Sequence, residues 1–199
     1  MAVKFQYNKT SLQNLDKQLK VRRRALPTLK NKESALRSEV KRAKDRAASL
    51  DKEFQEEMDR YENMVRLWGE FDQSLLRVAD VKLSVKKIAG VLTPVLDEVQ
   101  FEMAPFHLFS KPLWFADGIA ILKKLAELAI NREVYTRKMV LLDYARKKTT
   151  QKVNLYEKVQ IPGFEDAMRK IKRFLEDEDN LSKSAQKIVK TRQEQEVES

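Results

Sequence analysis

Cysteine is absent from this 199-residue chain, and there is one histidine, His107. Disulfides, thiolate metal sites and cysteine nucleophiles are therefore excluded. A lone histidine leaves histidine-paired nucleophiles and multi-histidine metal sites without a second member. Glycine is scarce too, and Gly69, Gly90, Gly118 and Gly163 each stand alone. A phosphate-cradling loop needs clustered glycines ahead of Lys-Ser/Thr, so that route to nucleotide binding is closed. Long apolar runs are missing too. Ile119–Leu122 and Met139–Leu142 fall far short of the ~20 apolar residues that cross a bilayer. The N-terminal MAVKFQYNKTSLQNLDKQLK has no apolar signal-peptide core, so no targeting segment is expected.

What is abundant is charge, at 35% of residues with a net +10. With so few turn-formers, this composition suits long helices and leaves little for a β fold. The charge is uneven. Residues 1–50 carry 14 Lys/Arg against 4 Asp/Glu, whereas residues 51–80 carry 4 against 9. Residues 131–175 return to 12 against 5, and 176–199 reverse to 4 against 7. A basic first third implies an acidic protein surface, nucleic acid or the acidic stretches of the same chain as its counterpart.

The strongest positive signal is periodic. Alternating steps of 3 and 4 from Leu12 visit Leu15, Leu19, Arg22, Leu26, Leu29, Glu33, Leu36, Val40, Ala43, Ala47, Leu50, Phe54, Glu57, Tyr61, Met64 and Trp68. Only Arg22, Glu33 and Glu57 break the apolar stripe. A 3.5-residue repeat stays on one side only when two helices supercoil left-handedly. Lone globular helices rarely sustain it beyond about 25 residues. The segment would measure roughly 85 Å and must bury its seam against a partner. Pro27 interrupts it locally. Because the seam keeps phase on both sides, a continuous helix kinked at Pro27 is expected over a helix that starts there.

A second seam runs through Ile121, Leu125, Leu128, Arg132, Tyr135, Met139, Leu142, Arg146, Thr149, Val153 and Tyr156. Its phase slips at Ile161-Pro162-Gly163, which predicts a kink or register shift. It then resumes at Phe164, Ala167, Ile171, Phe174, Glu178, Leu181, Ala185 and Ile188. Two arms of similar length predict an intramolecular antiparallel pair, with Leu12 near Ile188 and Trp68 near Arg132. A parallel homodimer through the first seam is the other geometry. Between the arms, Pro94, Pro105, Pro112 and a β-leaning set predict a hairpin of Ile88–Thr93 with Glu98–Met103, turning near Pro94–Asp97. Phe106, Leu108, Phe109, Trp114 and Phe115 would supply a small core there.

The expected organisation is an N-terminal coiled-coil arm (1–80), a β-hairpin insert (81–112), a C-terminal coiled-coil arm (113–190) and a frayed tail (191–199). The fold class is mainly α: a long antiparallel two-helix left-handed coiled coil with a small β-hairpin at the turn-around end.

No catalytic constellation accompanies this framework. The acidic clusters Glu56-Glu57 and Glu176-Asp177-Glu178-Asp179 lack calcium-loop spacing and read as solvated helix faces. The basic runs Arg22-Arg23-Arg24 and Arg146-Lys147-Lys148 are interleaved with acids and bring no DNA- or RNA-binding module with them. No catalytic residue, metal site or cofactor is expected.

Three stretches resemble one family. RRRALPTLKNKESAL (Arg22 to Leu36) and TTQKVNLYEKVQIPGFEDAMRKIKRFLEDED are similar to the two arms of the V/A-type ATPase D subunit. IAGVLTPVLDEVQFEM resembles that family's middle hairpin, and the three occur in the family's order. Pro27 and Gly163 depart from its usual pattern. The resemblance implies a non-catalytic central rotor shaft that transmits torque between a catalytic A/B hexamer and a membrane ion ring. It also implies partners in the A, B and F subunits and in a membrane-side socket subunit, with a peripheral place on the cytoplasmic side of the membrane. A monomer is expected in isolation, with no direct nucleic acid or membrane insertion. On the matching positions, Arg22, Arg23, Arg24, Lys30 and Lys32 would face the hexamer. A coiled-coil scaffold or nucleic-acid-binding rod is the alternative reading.

Overall fold

A computed structural model describes residues 3–105, 112 and 114–197. The element order is α1 (Lys9–Arg60), α2 (Val65–Trp68), β1 (Leu76–Ile88), β2 (Val91–Met103), α3 (Trp114–Asn154) and α4 (Ile161–Val197). A six-residue π-helical run, Leu155–Gln160, joins α3 to α4 without a break. The fold is mainly helical, a coiled coil with a two-stranded antiparallel insert. It divides into two compact units, Met1–Asn31 with Thr149–Ser199 and Lys32–Lys148.

α1 is one 52-residue helix with Pro27 inside it, as the unbroken seam phase predicts. Asn8 caps its start: its Oδ1 accepts from the Ser11 backbone N–H at 2.7 Å. Every one of the seventeen seam positions is buried or half-buried, the three polar ones included. The seam is covered within the chain, which replaces the homodimer geometry.

In the first unit, Leu15 and Leu19 bury against Phe164, Ala167 and Ile171 of α4, with Leu12 packed alongside. Here the structure corrects the expected register. Leu12 belongs with this cluster, and Ile188 is 56% exposed. Leu181 is 72% exposed. The arms are unequal. α3, the π run and α4 contribute 41, 6 and 37 residues against the 52 of α1, so the returning helix is the longer.

The expected phase slip has a concrete form. Between Tyr156 and Phe164 the seam takes eight residues where two heptad steps take seven. The π run absorbs the extra one, and the Ile161 N–H donates to Tyr156 O, five residues back. Pro162 lacks an N–H, and in a regular α-turn its ring would clash with the carbonyl four residues earlier. Widening the turn just ahead of it relieves both demands.

In the second unit, Leu36, Ala43 and Leu142 form one buried cluster. Phe71, Leu75, Phe115 and Ile119 form another, edged by Trp68 and Trp114. Trp68 therefore packs on Phe71 and Trp114 (ring centroids 5.7 and 5.5 Å apart) and not beside Arg132. Arg132 meets Asp51 at 2.9 Å and lies over the Phe54 ring. Trp114 and Phe115 do contribute to a core as expected, while Phe106, His107, Leu108 and Phe109 lie outside the described residues.

The strands are longer than expected, and they turn elsewhere. β1 pairs with β2 from Leu76↔Met103 to Ile88↔Val91. The turn is Ala89-Gly90, both with positive φ (48° and 82°). That is the two-residue primed turn whose twist matches the strands. Pro94 sits within β2 opposite Val85. An isolated two-stranded sheet tolerates a proline whose missing N–H faces an open edge. Ala89, Ile88 and Val91 anchor the turn against the Leu36–Leu142 cluster. Gly90→Val is expected to destabilise the fold by about 1–2 kcal/mol in urea unfolding, because a β-branched residue resists the left-handed region.

Candidate interaction surface

The five basic residues expected to face a partner fall into three classes. Arg22 is half-buried and serves its own unit: Nε donates to Gln160 Oε1 at 2.6 Å and the guanidinium lies 4.7 Å from the Phe164 ring centroid. Arg23 and Lys30 are exposed and ion-paired with the returning helix, to Glu165 and Glu157, both at 2.6 Å. Arg24 and Lys32 are exposed, and neither joins an ion pair among the described residues. Lys32 Nζ lies 3.4 Å from where a Cβ on Gly90 would sit, beside the hairpin turn. Exposed pairs such as Arg23–Glu165 contribute at most about 1 kcal/mol each. They can exchange partners with little loss.

The polar seam residues act differently. The Glu57 side chain is only 8% exposed, and Lys124 donates to its Oε1 at 2.7 Å. Arg60 and the Tyr61 hydroxyl add further bonds. The Lys124 hydrogen bond holds the Glu57 carboxyl below its usual range, with the Arg60 and Lys124 charges reinforcing it against desolvation. Asp143 is lowered likewise by hydrogen bonds from Lys147 and Arg146. Across the hairpin, Lys82 lowers Glu98 and is itself raised by it. A lone polar residue at a seam position works as a register pin, since any slide leaves it facing apolar neighbours. Periodicity marks Glu57 only as an exception. Its partner Lys124 is unmarked, because pairing across a helix interface carries no local signal.

These depressed carboxyls set a pH dependence. Their folded pKa lies below the unfolded value, so their stabilisation is complete above the ordinary carboxylate range and is lost as pH falls from there through the lowered folded values. Thermal unfolding is expected at a lower midpoint at pH ~3.5 than at pH ~7. Glu57→Gln should weaken that dependence, with Asp143 and Glu98 carrying what remains.

Apolar surface is also available. Gln55, Met58, Tyr61, Trp68, Phe71 and Leu122 line an open groove of about 480 Å³. The solvent face of the hairpin carries exposed Leu83, Val85 and Leu92. Among the described residues no group of His, Cys, Asp and Glu could hold a metal, and no buried side-chain polar atom lacks a partner. The arrangement offers surfaces and cross-helix pins.

Comparison with known proteins agrees over nearly the whole length. The family model for the D subunit of ATP synthase matches residues 11–191. The V-type ATP synthase D subunit of Borreliella burgdorferi is 30% identical over 190 residues, covering 94% of each chain. That of Chlamydia pneumoniae is 28% identical over 89% of this chain and 87% of its own. A Chlamydia trachomatis counterpart is 27% identical over 85% and 86%. With a buried heptad seam, a returning helix and a hairpin between them, matched along nearly its whole length, the chain belongs to the ATP synthase D-subunit family.

Proposed function

We propose that this chain is the central rotor shaft of a V/A-type ATPase or ATP synthase, carrying torque between the catalytic A/B hexamer and the membrane ion ring. The observation that carries this reading is the seam: α1 is sealed in each unit against an antiparallel return helix. A torque-bearing element must resist twisting and sliding. Arg22–Gln160 in one unit, and Asp51–Arg132 and Glu57–Lys124 in the other, are the cross-helix pins that would resist slip. The chain itself is non-catalytic on this reading, binds no nucleotide and leaves ATP chemistry to the A and B subunits.

The F subunit and a membrane-side socket subunit complete the partners, and attachment to the cytoplasmic face runs through them. Among the described residues no helix is long and apolar enough to cross a membrane. Arg23, Arg24, Lys30 and Lys32 face the hexamer through solvated charges that break and reform as the shaft turns, and Arg22 supports them from within the pair. Co-expression with the A, B and F subunits, followed by affinity capture, is expected to yield one complex with ATP-driven rotation. Arg24→Glu with Lys32→Glu should slow rotation or weaken capture several-fold. Unchanged capture and rotation would remove these residues from the interface, and absence of A and B from the capture would overturn the shaft reading.

A further inference from the structure

Gly163 has no part in the seam, yet it has a close neighbour from far along the chain. A Cβ at Gly163 would lie 3.2 Å from Cγ2 of Val3. Val3 and Phe5 both pack against the Leu15–Ile171 cluster. The Tyr7 ring meets Phe5 at 5.4 Å and Phe174 at 4.9 Å between centroids. Just ahead of α1 the chain reverses: the Asn8 N–H donates to Gln6 O, and the Gln6 N–H donates to Ser11 Oγ. Residues 3–7 therefore double back along α4 from Phe174 to Gly163. Four extended residues reach about 13 Å, close to the roughly 16 Å that eleven helical residues span. The segment crosses the pair where α4 is intrinsically weakest, just past the π run, at a proline followed by a helix-interior glycine.

We infer that residues 3–7 form a splint that holds the beginning of α4 onto α1, and that Gly163 is the seat admitting it. The splint supplies a third layer where the two-helix seam is interrupted. A side chain as large as leucine at 163 would fill the seat and unship the segment. The splint is a property of the isolated chain and does not depend on the shaft reading.

The cysteine-free sequence allows a direct test on the full chain. Val3→Cys with Gly163→Cys should oxidise readily to an intramolecular disulfide, whereas Val3→Cys with Ser184→Cys should not. The second measurement is a reversal of sign. In the full-length chain Gly163→Leu should lower the unfolding midpoint and raise amide exchange over residues 164–171 several-fold. In a chain lacking residues 2–7 the same substitution should raise the midpoint, because leucine is the better helix former once the seat is empty. No cross-link between 3 and 163, or the same sign in both backgrounds, would overturn the splint.

Discussion

Inserting a single alanine after Lys158 is expected to open the helix pair formed by residues 9–31 and 149–175, with little change around Leu36 and Leu142. Each α-helical residue turns the chain by about 100°. The π run already absorbs one surplus residue between Tyr156 and Phe164. A second would carry Phe164, Ala167 and Ile171 away from Leu15 and Leu19, the partners that bury them. Removing an apolar side chain of this size from a core forfeits about 1.5–3 kcal/mol. Several are lost together, which exceeds what so narrow a pair retains. The opposite edit should be tolerated: deleting Val159 together with Pro162→Ala restores the seven-residue spacing and lets the π turn relax to α. Hydrogen exchange resolved to residues 12–19 and 164–171 measures both. Unchanged protection in the insertion variant would show that the π run does not set the phase.

Leu142→Ala carries the second large expectation. Leu142 and its partner Leu36 are both 0% exposed, and they share the cluster that anchors the hairpin turn. Truncating such a side chain costs about 2–5 kcal/mol, the larger values where neighbours cannot collapse into the space. Stiff helices on two sides and a strand turn on the third leave little room to collapse. The thermal midpoint should fall by roughly 5–15 °C for a chain of this size. Leu141→Ala, at the adjacent position and 44% exposed, should stay within about 0.5 kcal/mol of the parent. Comparable losses at 141 and 142 would mean that the seam is not where the stability resides.

The contrast between those two leucines shows what a linear reading can reach. The α1 seam is legible to the residue, because a 3–4 repeat is a local property and any partner must cover the same stripe. Arg22 and Glu57 are visible as breaks in it. Their compensations, Gln160 with Phe164 for one and Lys124 for the other, lie far off, with Gln160 and Lys124 138 and 67 positions away. Register is illegible for the same reason: a heptad stripe can slide along its partner without changing which residues face it. Only paired groups such as Asp51–Arg132 distinguish one slide from another. Arg132 therefore meets Asp51, where equal arms would place Trp68.

The hairpin differs in kind. As turn markers, prolines predict a reversal at Pro94–Asp97. The strands instead turn at Ala89-Gly90, where packing of Ile88 and Val91 on the helices rewards a tight primed turn and leaves Pro94 within a strand. The N-terminal segment shows the limit again. Nothing local in Val3–Tyr7 announces that it will lie on α4, since the contact depends on Gly163, at the far end of the sequence.

Residue types alone determine that this chain is helical and seamed, and its motifs place it in its family. Those are properties of composition and short-range period. Register, the π turn before Pro162, the hairpin's reversal and the seat at Gly163 are decided by packing. Each is a choice among arrangements that expose the same local pattern, and the chain resolves it only when distant groups come together.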